Sequence, residues 1–224
     1  MELEKVTTFR QSEERRRYED ACGLAHAMEL LGERWAMLVL RELAYGPRRF
    51  SELKADLRGI SANVLAQRLT ELENRSLVRK TKLAPPASIQ VYEATEWGLE
   101  VVPLIASLGR WAARSPWHNP ALQMSHVSVI MSLQTLLSTE LAEGLDARIG
   151  FQFGDVSYLT TLHDGRLDVE RGPLEDYDVV FSGAPSDIAA VIHGGAPLEM
   201  IEVKGDMELA KRFRTLFPLP PKIG

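Results

Sequence analysis

Two short amphipathic stretches meet at a single glycine, and that junction constrains the fold more than any other part of the 224-residue chain. Phe50, Leu53 and Leu57 recur at helical spacing over 50–57, and Gly59 follows where a helix ends in left-handed backbone. Ser61 then stands where its oxygen can accept from the free amides of a second helix over 62–74, whose apolar stripe is Leu65, Leu69 and Leu72. The pattern predicts helix, turn and helix. The face opposite that stripe carries Asn63, Gln67, Thr70 and Asn74, where a merely solvated face would favour Glu and Lys. Amide side chains can both donate and accept at base edges, as Asn and Gln do at adenine. Ser61, Asn63, Gln67 and Thr70 are therefore the expected base-reading residues. Arg68 lies on the flank of the helix, and its expected role is a structural pair with Glu71 three residues on.

The surroundings fit this reading. Apolar residues at helical spacing over 21–31 and 34–44 predict two further helices, separated by Gly32 and stopped by Gly46-Pro47. Runs rich in strand-forming residues over 77–83 and 89–95 flank Ala84-Pro85-Pro86-Ala87-Ser88, a connection neither strand can continue through. They predict a hairpin wing. Thr95 is placed to cap one helix over 96–114, with Val101, Leu104, Ile105, Leu108 and Trp111 on an apolar side too broad for a small domain to cover. Subunit pairing is its expected use, and the helix could act as a lever between the two halves of the chain. Residues 1–20, with Arg15-Arg16-Arg17, read as a charged N-terminal arm.

Net charge is −5, an odd value for a nucleic-acid binder until it is divided along the chain. Residues 1–118 hold 18 Lys and Arg against 16 Asp and Glu, whereas the remainder holds 8 against 15. Within 46–82 nine basic residues face four acidic ones. Phosphate contact dominates nucleic-acid affinity, so Arg48, Arg49, Lys54, Arg58, Lys80 and Lys82 are the expected backbone contacts. The acidic second half would repel a duplex.

Leu31-Gly32-Glu33-Arg34-Trp35, Leu40-Arg41-Glu42-Leu43, Gly46-Pro47-Arg48-Arg49-Phe50-Ser51-Glu52-Leu53 and Gly59-Ile60-Ser61 before Leu65-Ala66-Gln67-Arg68-Leu69 resemble the HxlR-type, MarR-related winged helix-turn-helix regulators. Cys22, Tyr92, Thr95 and Gly98 continue the pattern. The resemblance spans 22–111 and implies a homodimeric DNA-binding transcription regulator, a repressor, on a double-stranded operator. It also implies a thiol at Cys22 that senses oxidants or electrophiles, although Gly23 replaces the family's proline. The residues around Cys22 favour simple packing instead.

Ser115-Pro116-Trp117-His118-Asn119-Pro120 reads as a linker over 115–120, followed by a second domain over 121–218. A helical stripe from Val129 to Leu141 gives way to alternating strands, with a hairpin turn at Asp164-Gly165, then helices after Pro185 and Asp206. The fold class is α+β: a winged helix-turn-helix, then an antiparallel sheet covered by helices. Asp176-Tyr177-Asp178-Val179-Val180-Phe181-Ser182-Gly183, Pro185-Ser186-Asp187-Ile188 and Val203-Lys204-Gly205-Asp206 resemble sterol carrier protein (SCP2-like) domains. That resemblance implies an apolar small molecule or lipid held by Phe151, Phe153, Tyr158, Phe181 and Phe213. If so, the two halves should be separable, with operator recognition surviving removal of 121–224.

Other classes are disfavoured. One cysteine and five scattered histidines offer no metal cluster, and neither a P-loop nor a serine elbow is present, so no cofactor and no enzymatic activity are expected. Val127 to Leu145, the most apolar stretch, is interrupted by polar residues, so no membrane span is expected and a cytoplasmic location is. The alternative reading is a lipid or apolar-ligand carrier that uses its winged helix mainly to dimerise.

Overall fold

The computed structural model describes residues 18–83 and 88–224. Residues 1–17 of the arm expected over 1–20, and residues 84–87 of the connection expected at the wing tip, lie outside the described residues. Two hydrophobic cores organise the chain, one gathered from residues 31–101 and the other from 129–217.

The first core is built by α1 (Gly23–Leu31), α2 (Ala36–Glu42), α3 (Phe50–Asp56) and α4 (Ala62–Asn74). The expected stripes are buried on three of these helices, Val39 and Leu40 on α2, Leu53 on α3, and Leu65, Leu69 and Leu72 on α4, whereas on α1 only Leu31 is buried. Glu52 accepts from the Arg49 amide at 2.8 Å to start α3, and Ser61 accepts from the Val64 amide at 3.2 Å to start α4. Gly59 between them has φ +84°, a backbone that a β-carbon disfavours. The antiparallel hairpin β1 (Val78–Lys82) and β2 (Gln90–Ala94) follows, its root closed by Val78 opposite Ala94.

The expected single helix over 96–114 is two: α5 (Glu96–Glu100) and α6 (Val102–Ala112), divided at Val101. Pro103 explains the break, since it has no amide to donate and its ring would clash with the carbonyl four residues back; it is accommodated in the first turn of α6 instead. Thr95 caps α5 by accepting from the Gly98 amide at 3.0 Å and donates to the Ser76 carbonyl at 2.7 Å. A β-carbon on Gly98 would lie 2.1 Å from the Leu77 carbonyl oxygen, so only glycine permits this helix to lie on the wing root. The linker after α6 leaves Trp117 exposed, and Lys222 from the chain end donates to the carbonyls of Ala113, Ser115 and His118 at 2.9 to 3.2 Å.

Beyond the linker stand α7 (His126–Leu136), β3 (Ala147–Phe153), β4 (Val156–His163), β5 (Arg166–Arg171), β6 (Val179–Ser182), α8 (Pro185–His193), β7 (Glu202–Gly205) and α9 (Met207–Phe213). The sheet order is β5-β4-β3-β6-β7. Asp164 and Gly165 turn β4 into β5 with positive φ at both positions, as their residue types imply. The expectation of a wholly antiparallel sheet fails at one seam: β6 runs parallel to β3, with Phe151 opposite Phe181. The chain leaves the edge strand β5, crosses β4 and re-enters on the far side of β3. Asp178 anchors it there, its amide donating to the Arg148 carbonyl at 2.8 Å and its carboxylate accepting from the Arg148 amide at 2.7 Å. Among the described residues no helix is long and apolar enough to cross a membrane.

Candidate nucleic-acid interface

Helix α4 presents Ala62, Asn63, Ala66, Gln67 and Thr70 as one exposed face, opposite the buried leucines. The sequence-based expectation omitted Ala62 and Ala66, whose small side chains leave the helix backbone open on this face. Gln67 donates one amide hydrogen to Glu71 at 3.0 Å and keeps its carbonyl oxygen and second hydrogen for a base edge. Thr70 donates its hydroxyl to the Ala66 carbonyl at 3.0 Å, which leaves its methyl group as the outward feature, suited to a thymine methyl. Asn63 is exposed. Ser61 is the helix cap: its oxygen accepts from Val64, and its hydroxyl hydrogen is left to donate. Arg68 pairs with Glu71 and lies 3.4 Å from Glu33, buried at 5% exposure, in the structural role expected of it.

Five of the six expected phosphate residues reach the surface or its margin. Arg49, Arg58, Lys80 and Lys82 are exposed and Lys54 half-buried. The Lys80 ammonium stands 5.8 Å from the centre of the Tyr92 ring, which steadies it on the wing.

Arg48 is the exception and corrects the sequence reading. It is 3% exposed and donates to Asp56 at 2.5 Å, with Glu52 at 3.4 Å and Glu42 at 3.5 Å. Three carboxylates hold it inward, so it has no reach to phosphate. Burial pulls its pKa down, but the bond to Asp56 and the Asp56 and Glu42 charges outweigh that and raise it. Asp56 mirrors it: burial raises its pKa, whereas hydrogen bonds from His126 and Arg48 and their charges bring it below the ordinary carboxylate range.

The expected pairing stripe divides. Val101 is buried in the first core and Ile105 packs against it, whereas Leu104, Leu108 and Trp111 are 61%, 48% and 72% exposed along α6. Leu24 and Met28 of α1 are exposed as well. Cys22, expected to be packed, is also exposed, immediately before α1. Backbone amides of Leu24 and then Ala25 hold its thiol below the ordinary range. His26, one turn along α1, meets Glu29 at 3.0 Å.

The five aromatics expected to line a ligand pocket form a closed core, which corrects that assignment. Phe151, Tyr158, Phe181 and Phe213 are fully buried and Phe153 is 7% exposed. Their rings contact one another: Phe151 lies 5.6 Å from Phe181, Phe181 lies 5.8 Å from Phe213, and Phe153 meets Tyr158 at 6.1 Å. Two surface clefts of this half, about 290 and 390 Å³, are bounded by Asp146, Arg148, His163 and Asp178 and by Gln134, Thr139 and Arg166, with none of the five rings. Among the described residues no group of His, Cys, Asp and Glu is arranged to hold a metal ion.

The HxlR-like helix-turn-helix description matches residues 30–119. The uncharacterized HTH-type transcriptional regulator YvaP of Bacillus subtilis (strain 168) is 32% identical over 96 residues, 42% of this chain and 86% of that protein. The HTH-type transcriptional regulator YodB of the same strain is 35% identical over 86 residues, 38% of this chain and 77% of that one. The solved reduced form of YodB from B. subtilis aligns with 44% of this chain and 97% of its own at 31% identity, with a TM-score of 0.39. With a capped recognition helix, a basic wing and relatives matched over most of their length, the chain belongs to the HxlR-like helix-turn-helix family.

Proposed function

We propose that this DNA-binding regulator of the HxlR-like family works in the cytoplasm as a homodimer on a two-fold-symmetric operator, as a repressor that occupies a promoter rather than as an enzyme. The observation that carries the reading is the α4 face of Asn63, Gln67 and Thr70 with Ala62 and Ala66 between them, beside a wing bearing Lys80 and Lys82. Amide groups read bases and lysines meet phosphate. The exposed Leu104, Leu108 and Trp111 supply the pairing surface, since an apolar stripe of this kind is costly to leave in water. Pairing would set two recognition helices about one helical turn of DNA apart.

Selection from a random duplex library tests this directly. The expected product is an inverted repeat whose half-sites lie about 10 base pairs apart. Trp111→Glu should yield monomers in sedimentation analysis and abolish operator binding, and a promoter-reporter assay reads the sign of control. Failure to select any sequence would refute the function and favour the carrier reading. The sterol-carrier resemblance extends the proposal to an apolar effector in the second half. Because its rings close on one another, such a ligand would have to part α9 from the sheet, and native mass spectrometry of the purified protein tests for it.

A further inference from the structure

The two cores meet through a polar seam, and it converges on the short segment between α2 and α3. The Tyr45 hydroxyl donates to Gln134 at 2.6 Å, and its ring meets that of Tyr158 edge to face at 5.8 Å. The Pro47 carbonyl accepts from Arg171 of β5 at 3.1 Å. Arg48 exchanges both backbone hydrogen bonds with Tyr92 of the wing, each 2.8 Å, while its guanidinium holds Asp56 at the end of α3. Asp56 lies 3.3 Å from His126, whose other ring nitrogen is 2.7 Å from the Tyr158 hydroxyl. Glu42 accepts from Ser125 at 2.8 Å.

One segment therefore touches the wing, α3 and the second half at once. Its backbone sets the wing and its side chains set α3, which carries α4 across the Gly59 turn. Consecutive residues at the start of α7, Ser125 and His126, brace the two carboxylates on either side of Arg48. Within this seam Glu42, Arg48, His126 and Tyr158 are at most 7% exposed. Buried polar groups tolerate little displacement, because a lost partner leaves an unsatisfied charge or dipole.

We infer that the C-terminal half fixes the pose of the recognition helix and wing, with His126 and Arg171 as positioning residues for operator recognition. The inference rests on the proposed DNA-binding function. Neither residue contacts DNA in this scheme: each acts through the 45–56 segment, and the second half is a working part of the reading head rather than a detachable sensor. Two heads in a dimer must enter successive grooves in register, so a small change in pose penalises the operator more than random DNA, which needs only phosphate contacts.

The test uses the full chain and an operator selected with the wild type. His126→Phe keeps a ring but removes both polar nitrogens, and Arg171→Leu removes the donor to Pro47. Each should weaken operator binding by about fivefold or more, the lower end of ordinary coupling between sites. Affinity for random DNA and the salt slope should hold, because Arg49, Lys54, Arg58, Lys80 and Lys82 are untouched. Combining His126→Phe with Asp56→Asn should give less than the product of the separate losses, as expected of one network. Should His126→Phe fail to fold, Tyr158→Phe deletes a single hydroxyl and is expected to act in the same direction. Operator affinity within twofold of wild type in folded variants would overturn the inference. So would an equal loss on random DNA. A wild type that selects no operator would refute the underlying function, and that result is read before any variant is made.

Discussion

The Arg48 guanidinium donates to the Asp56 carboxylate at 2.5 Å across the length of α3, from a position only 3% open to water. Breaking such a pair leaves Asp56 and Glu52 without this cation, and Glu42 with Arg41 as its one cation among the described residues. Arg48→Ala should therefore destabilise the protein by about 3–5 kcal/mol. The measurement is denaturant unfolding. A variant of unchanged stability that instead lost affinity for all DNA would return Arg48 to the phosphate contacts.

The same pair predicts an acid limb. The pKa of Asp56 is depressed in the folded chain, so its contribution is fully present above the unfolded value of about 3.9 and is lost as pH falls through the lower folded value. Thermal melts from pH 6 to pH 2 should show the wild type losing stability below about pH 4. Asp56→Asn should be less stable at pH 6 and fall less steeply; an identical slope would contradict the assignment.

Base and backbone contacts should separate cleanly. Asn63→Ala or Gln67→Ala should relax preference at one position per half-site, at about 1–3 kcal/mol of discrimination for each bidentate contact, with random-DNA affinity little changed. Arg49→Ala or Lys82→Ala should weaken binding to every sequence and flatten its salt dependence. Competition titrations at several salt concentrations distinguish the two groups.

Cys22 should react unusually readily. An exposed thiol held below the ordinary value of about 8.5 carries more thiolate at neutral pH than free cysteine does. The rate of alkylation by iodoacetamide against pH should rise with a midpoint below that of free cysteine. Coincident curves would remove the physical basis for a sensing role.

Gly98→Ala should be costly despite the high helix propensity of alanine. Its methyl would meet the Leu77 carbonyl at 2.1 Å, forcing α5 off the wing root. The melting temperature should fall, and amide exchange should quicken over 77–82 and 90–94. A neutral outcome would mean that the root yields more easily than its backbone contacts suggest.

The sequence made local structure legible wherever period and punctuation agreed. Leu65, Leu69 and Leu72 with Ser61 placed α4, and Asp164-Gly165 placed the β4–β5 turn. It misled where a residue's partner lay far along the chain. Nothing near Arg48 or Asp56 announces His126, seventy residues beyond Asp56, and a buried cation looks like any other arginine in a basic stretch. The parallel seam between β3 and β6 was equally hidden, because alternation reports which face is covered and not the direction of the neighbour. Pro103 did signal the break near Val101, but the continuous apolar stripe on both sides concealed it. The five rings of the second core carried apolar character without saying whether they enclose space or fill it.

All four tryptophans, Trp35, Trp97, Trp111 and Trp117, precede residue 120. Trp111 and Trp117, on the pairing helix and the linker, are 72% and 91% exposed. Tryptophan emission from this protein is thus an optical report on one half only. It should shift to shorter wavelength when Trp111 is covered by a second subunit, and it has no indole beyond the linker with which to see the aromatic sheet open. A melt followed by fluorescence and one followed by circular dichroism are two different experiments on this chain, and the gap between their midpoints measures how tightly the two cores are bound into one cooperative unit.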